Sequence, residues 1–174
     1  MAGLLVVTQA CGGLAGLALA ADKAPAEAAG MPNAATTMTR AAAQAGVLSC
    51  AARIDQVSKF LGAGNEVSFL LLLPPPPRDQ RLVASAMEID NKDVPSAYAS
   101  AEFASSAQGC GASYETVTYW PGKCEDVVAK AFSKVRQVQA LGKSIATLDT
   151  GGNSRIFLMP AGTTGCITIK KELL

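Results

Sequence analysis

Residues 110–124 read Cys110-Gly-Ala-Ser-Tyr114-Glu-Thr-Val-Thr-Tyr-Trp120-Pro-Gly-Lys-Cys124. This stretch holds the only Trp, two of the three Tyr and two of the five Cys of the chain. Residues 113–120 are β-branched and aromatic, with turn residues Gly109, Gly111, Pro121 and Gly122 on either side, so they predict a strand. Alternation sends Tyr114, Thr116, Thr118 and Trp120 to one face and Glu115, Val117 and Tyr119 to the other. Neither face is purely apolar, which predicts an antiparallel sheet with one wet face.

The strand also constrains the cysteines. Eight extended residues at about 3.3 Å each hold its ends roughly 25 Å apart. A disulfide needs Cα atoms within about 7 Å. Cys110 and Cys124 are therefore not expected to pair with each other. The partners left are Cys50 and Cys166, because Cys11 falls in a segment expected to be removed. Two connectivities survive: 50–124 with 110–166, or 50–110 with 124–166. The first is the favoured one, as it joins a helix to a helix start and a strand to a strand. Each bridge closes a long loop and stabilises by about 3–4 kcal/mol in the chain-entropy picture.

Residues 1–21 carry no charged side chain and end in Ala18-Leu-Ala20. The small-x-small ending predicts a cleaved signal peptide over an uncleaved anchor, although no Lys or Arg stands near the start. Thr8-Gln-Ala10 before Cys11 makes a poor lipid-attachment signal. Residues 22–32 are rich in Ala, Pro and Gly and predict a flexible lead-in. Residues 33–174 then form a single disulfide-braced domain, periplasmic or secreted, with no stable membrane span once the signal is gone. In a cytosolic protein the same four cysteines would read as buried thiols.

The rest of the chain predicts an α+β fold: a mainly antiparallel sheet of about six or seven strands, packed against one long N-terminal helix and one shorter helix. The long helix starts at Asn33 or Thr36 and runs to about Leu61. Val47, Cys50, Ala51, Ile54, Val57 and Leu61 share a face, and Gly46 loosens its first part. Residues 66–73 contain Val-Ser-Phe-Leu-Leu-Leu-Leu, an apolar run that predicts a central strand covered on both faces. Four prolines at 74–77 stop it and read as a stiff connector, more than as a ligand for a proline-binding partner. Residues 81–90 predict a strand and 91–96 a turn; in 96–106 the Ala content favours helix and the alternation favours a strand, and the segment is taken as a strand pairing with 113–120. The second helix is expected over 124–132, and strands over 143–148, 155–159 and 166–170.

Net charge is +1, from 15 basic and 14 acidic residues. Such a balance gives no global field to attract nucleic acid. The chain has no His, which removes the commonest general base and metal ligand. Zinc spacing is missing, Asp90, Asn91 and Asp93 lack the rest of a calcium loop, and Gly142-Lys-Ser144 lacks the first Gly of a phosphate-binding loop. Glu88 with Asp90, and Glu125 with Asp126, are spaced as solvated surface pairs. No cofactor, catalytic or metal residue is assigned. The candidate binding surface is an aromatic platform of Tyr98, Tyr114 and Trp120, with core packing of Trp120 as the plainer role. The expected function is a non-enzymatic exported module that binds or inhibits an envelope protein, or binds a small ligand. The alternative is a His-free envelope hydrolase or transferase using a carboxylate or Lys.

Overall fold

Tertiary pairing makes the Cys110–Cys124 region the centre of the molecule. A computed structural model describes residues 35–90 and 95–174 of the chain. The signal peptide expected at 1–21, the lead-in at 22–32, Asn33 and most of the 91–96 turn lie outside the described residues. The elements are α1 (Thr37–Gln44), α2 (Ala51–Leu61), β1 (Glu66–Leu72), a 3-10 turn (Arg78–Gln80), β2 (Val83–Asp90), β3 (Ala97–Ser106) and β4 (Gly109–Pro121). There follow α3 (Cys124–Ala131), β5 (Arg136–Leu141), β6 (Ile145–Asp149), β7 (Ser154–Ala161) and β8 (Gly165–Leu173). All eight strands form one sheet in the order β1-β2-β3-β4-β8-β7-β6-β5, with every neighbouring pair antiparallel.

This order is symmetric about β4 and β8. Each half is a helical segment followed by a four-stranded meander, and the last strands of the two meanders pair in the middle. One apolar cluster lies under α1 and α2 and includes Val47, Ile54, Val57, Val83, Phe103 and Tyr114. The other lies under α3 and includes Val127, Leu148, Ile156, Leu158 and Cys166. Both clusters use the same face of the sheet, since Tyr114 and Trp120 alternate to one side of β4. No helix among the described residues packs on the other face.

The expectation of six or seven strands against one long helix is corrected on both counts. The eighth strand is β5, an edge strand whose Arg-Gln-Val-Gln-Ala-Leu is too polar to read as a strand, with a register shift between Gln137 and Gln139. The long helix is two short ones. Gly46 takes φ +87° and donates its N–H to Ala43 O, so α1 ends in a left-handed turn. Val47 N–H then closes back on Ala42 O at 3.0 Å, and the N–H groups of Leu48 and Ser49 donate to the Asp79 carboxylate at 2.6 and 2.7 Å, which holds the chain out of helix before α2. β1 is an edge strand, not a central one. Its side chains alternate between half-buried and exposed, leaving Leu70 and Leu72 62% and 53% exposed.

The bridges are Cys50–Cys110 and Cys124–Cys166, with Cα separations of 5.2 and 5.0 Å. The favoured alternative, 50–124 with 110–166, is corrected, and the reason is the antiparallel register. Trp120 is opposite Cys166 in the β4–β8 ladder, so the start of β8 lies beside the end of β4, where α3 begins. Cys124 therefore meets Cys166. Cys110, at the other end of β4, lies under the first turn of α2, where Arg53 Nε donates to its carbonyl at 3.2 Å.

Candidate interaction surface

The three aromatic residues expected to form one platform are separated. Tyr114 is buried beneath α2, 1% exposed, with its ring centroid 5.6 Å from that of Phe60. Trp120 is on the same face but under α3. Its Nε1 donates to Thr168 Oγ1 at 3.0 Å, and it borders a cleft of about 280 Å³ with Pro95, Asp126 and Lys130. Tyr98 is on the opposite side of the sheet and half exposed.

Around Tyr114 lies the densest set of ionisable groups. The Tyr114 hydroxyl donates to Glu172, Lys170 Nζ donates to the Tyr114 oxygen at 3.0 Å, and Lys170 and Glu172 are 3.1 Å apart. Lys170 also stands over both the Phe60 and Tyr114 rings, 5.3 and 5.4 Å from their centroids. Burial first, and then Glu172, push the Tyr114 hydroxyl upward. Burial would lower Lys170, but the hydrogen bonds to Tyr114 and Glu172 outweigh it and raise it. The Tyr114 hydrogen bond, with Lys170, lowers Glu172. Each shift moves the group's titration further from pH 7. The trio is thus held as neutral phenol, ammonium and carboxylate, an arrangement that locks α2 to β4 and β8 and does not exchange protons near pH 7.

A second cleft, of about 330 Å³, opens between α1, α2 and β1. Met38, Val67, Phe69 and Met87 form its apolar wall, with Lys59 and Asn65 among the polar residues lining it. Lys59 is already paired to Asp55 at 2.6 Å. Among the described residues no group of three or more acidic, Cys or His side chains is placed to hold a metal ion.

The largest continuous feature is the open face of the sheet. Ladder register sets Ser68, Glu88, Tyr98, Val117, Ile169, Phe157, Thr147 and Gln139 in one row across all eight strands. One row further along are Tyr119, Ile167 and Met159. Tyr98 and Tyr119 are 50% and 53% exposed. A Cβ at Gly165 would come within 2.7 Å of both the Tyr119 ring and the Ala161 carbonyl oxygen, so the ring's place depends on glycine there. The row opposite Ser100 carries Glu115 and Lys171, paired at 3.4 Å, and then Arg155 and Asp149, paired at 2.9 Å.

Charges on this face are sorted. β1–β4 contain no Lys or Arg, and their carboxylates, Glu66, Glu88, Asp90, Glu102 and Glu115, all take the open side. The charged open-side groups of β5–β8 are Arg136, Asp149, Arg155 and Lys171. Alternation in the sequence had put Tyr98, Glu115, Val117 and Tyr119, and Ile167 with Ile169, on definite sides of their strands. That these sides are one face, and that no described helix covers it, needed the strand order.

No family model, no curated protein and no solved structure matches the chain. Two disulfides, and no helix among the described residues long and apolar enough to cross a membrane, are compatible with an extracellular location.

Proposed function

We propose that this chain is an exported, disulfide-braced binding module that engages its partner through the open face of the sheet. The observation that carries this reading is an aromatic and apolar row, Tyr98-Val117-Ile169-Phe157, on a face that no helix among the described residues covers. Tyr98 is half exposed and Val117, Ile169 and Phe157 are half-buried, and contiguous apolar surface left partly open to solvent marks an interaction site. The Tyr114–Lys170–Glu172 trio, fixed in its neutral-pH charge states, supports a non-enzymatic role over acid–base chemistry by carboxylate or Lys. Export is supported by the disulfides and by the residue pattern at 1–21.

Oxidative footprinting tests the reading. Hydroxyl-radical labelling of Tyr98, Tyr119, Phe157 and Met159 is compared between dilute purified protein and protein in the envelope fraction of the producing cell. Engagement of the face predicts at least a several-fold drop in labelling in the envelope fraction, with exposed Phe60 on the helix side as the internal reference. Equal labelling of these four residues in both samples overturns it.

A further inference from the structure

We propose that the occupant of the open face is the same face of a second copy of this chain, giving a two-fold dimer with two sheets packed together and the helices outside. This rests on the reading of that face as the interaction surface and names the partner.

The sequence of β1 is the first support. Val67, Phe69 and Leu71 turn toward the helices, and Leu70 and Leu72 turn outward into solvent. From Phe69 onward β1 is apolar at every position, the pattern of a strand covered on both faces, although its open side begins with Glu66 and Ser68. Here it forms one edge of a sheet that the described helices cover on only one face. A second sheet packed about 10 Å away would take Leu70 and Leu72 out of water.

A two-fold interface must be complementary to itself. Two axes are open to face-to-face packing. An axis perpendicular to the strands lays β4 on β4 and β1 on β1, so the carboxylates of β1–β4 meet their own kind. An axis parallel to the strands, between β4 and β8, lays β4 on β8, β3 on β7 and the acidic half on the half carrying Arg136, Arg155 and Lys171. From the ladder register, this second axis sets Tyr98 of one copy over Phe157 of the other. It also sets Val117 over Ile169, Tyr119 over Ile167 and Glu115 over Lys171, with Glu102 one row from Arg155. In the middle of the face apolar thus meets apolar along Tyr98, Val117 and Tyr119, and acid meets base at Glu115 and Lys171, while Ser100 lies over Arg155, Glu88 over Thr147 and, at the rim, Leu70 over Arg136. Eight strands spaced about 4.8 Å apart, with about five residues of each in contact, span roughly 38 by 17 Å. The resulting footprint of about 650 Å² is of the order of the roughly 800 Å² per partner of a stable interface.

A charge-swap pair tests this. One variant carries Glu102→Lys and Glu115→Lys, the other Arg155→Glu and Lys171→Glu. All four positions are at least partly exposed, so folding is checked by thiol count and circular dichroism. Light scattering after size exclusion, at about 100 µM and low salt, is expected to give twice the monomer mass for the wild-type protein. Each variant alone is expected to run as a monomer, and their equimolar mixture as a dimer. A wild-type monomer up to about 1 mM overturns the proposal, and so do variants that each still dimerise. If a variant does not fold, the wild-type protein decides: labelling of Tyr98 and Tyr119 must fall as concentration rises from about 1 to 100 µM. Protection in the envelope fraction with no concentration dependence in pure protein overturns self-association and leaves the binding reading standing.

Discussion

Asp55 shows how one buried charge fixes an entry point of the chain. It is 7% exposed and accepts from the Thr36 N–H at 3.0 Å and Thr39 Oγ1 at 3.2 Å, with Lys59 at 2.6 Å. Thr36 in turn caps α1, so one carboxylate ties the first described residues to α2. Burial alone pushes Asp55 upward. Lys59 and the two threonines outweigh it, and the carboxyl is held below its ordinary value. A depressed folded-state pKa contributes stability that is full above the unfolded value, about pH 4, and is lost as pH falls through the folded value. Asp55→Asn is therefore expected to cost about 2 kcal/mol at neutral pH, the scale of hydrogen bonds to a charged group. The loss should shrink below about pH 4, where the wild-type protein surrenders the same contribution. Urea titrations of both proteins across that range check this, and an unchanged difference at low pH refutes it.

The two disulfides act at the scale of elements. Each ties the start of a helix to the second residue of the fourth strand of its own meander, Cys110 in β4 and Cys166 in β8. The loops they close span 60 and 42 residues. Because loop entropy depends only on the logarithm of length, both bridges are expected to contribute about 4 kcal/mol. Cys50→Ser with Cys110→Ser, and Cys124→Ser with Cys166→Ser, should then destabilise to nearly the same extent in denaturant. Peptide mapping of the unreduced protein should yield only the 50–110 and 124–166 pairs. A 50–124 or 110–124 peptide would contradict the register of β4 and β8.

Across the whole molecule, β4 is shared. It supplies Tyr114 to the cluster under α1 and α2, while Trp120 packs against the cluster under α3. It also pairs with β3 on one side and β8 on the other. Neither half can unfold without stripping a ladder from the other, so unfolding is expected to be a single cooperative transition. Trp120 fluorescence reports the α3 half, and far-ultraviolet circular dichroism reports both. Their urea curves should superimpose. Two separated midpoints would mean that the meanders unfold independently.

The sequence by itself determined the local pieces. Period-two alternation marked β2, β4 and β8 and their sides, Gly and Pro marked the turns, and the length of β4 kept Cys110 from Cys124, because these signals depend only on near neighbours along the chain. Tertiary structure alone decided what joins them. The apolar run at 66–73 reads as buried on both sides, yet strand order puts it at an edge. The split between α1 and α2 depends on Asp79, some thirty residues away. Disulfide partners followed from the antiparallel register of two strands, and the assembly of Tyr98, Tyr119, Ile167 and Phe157 on one face that no described helix covers followed from the order of eight. Such pairings are set by contacts between segments distant in sequence, and no local pattern encodes which segments meet.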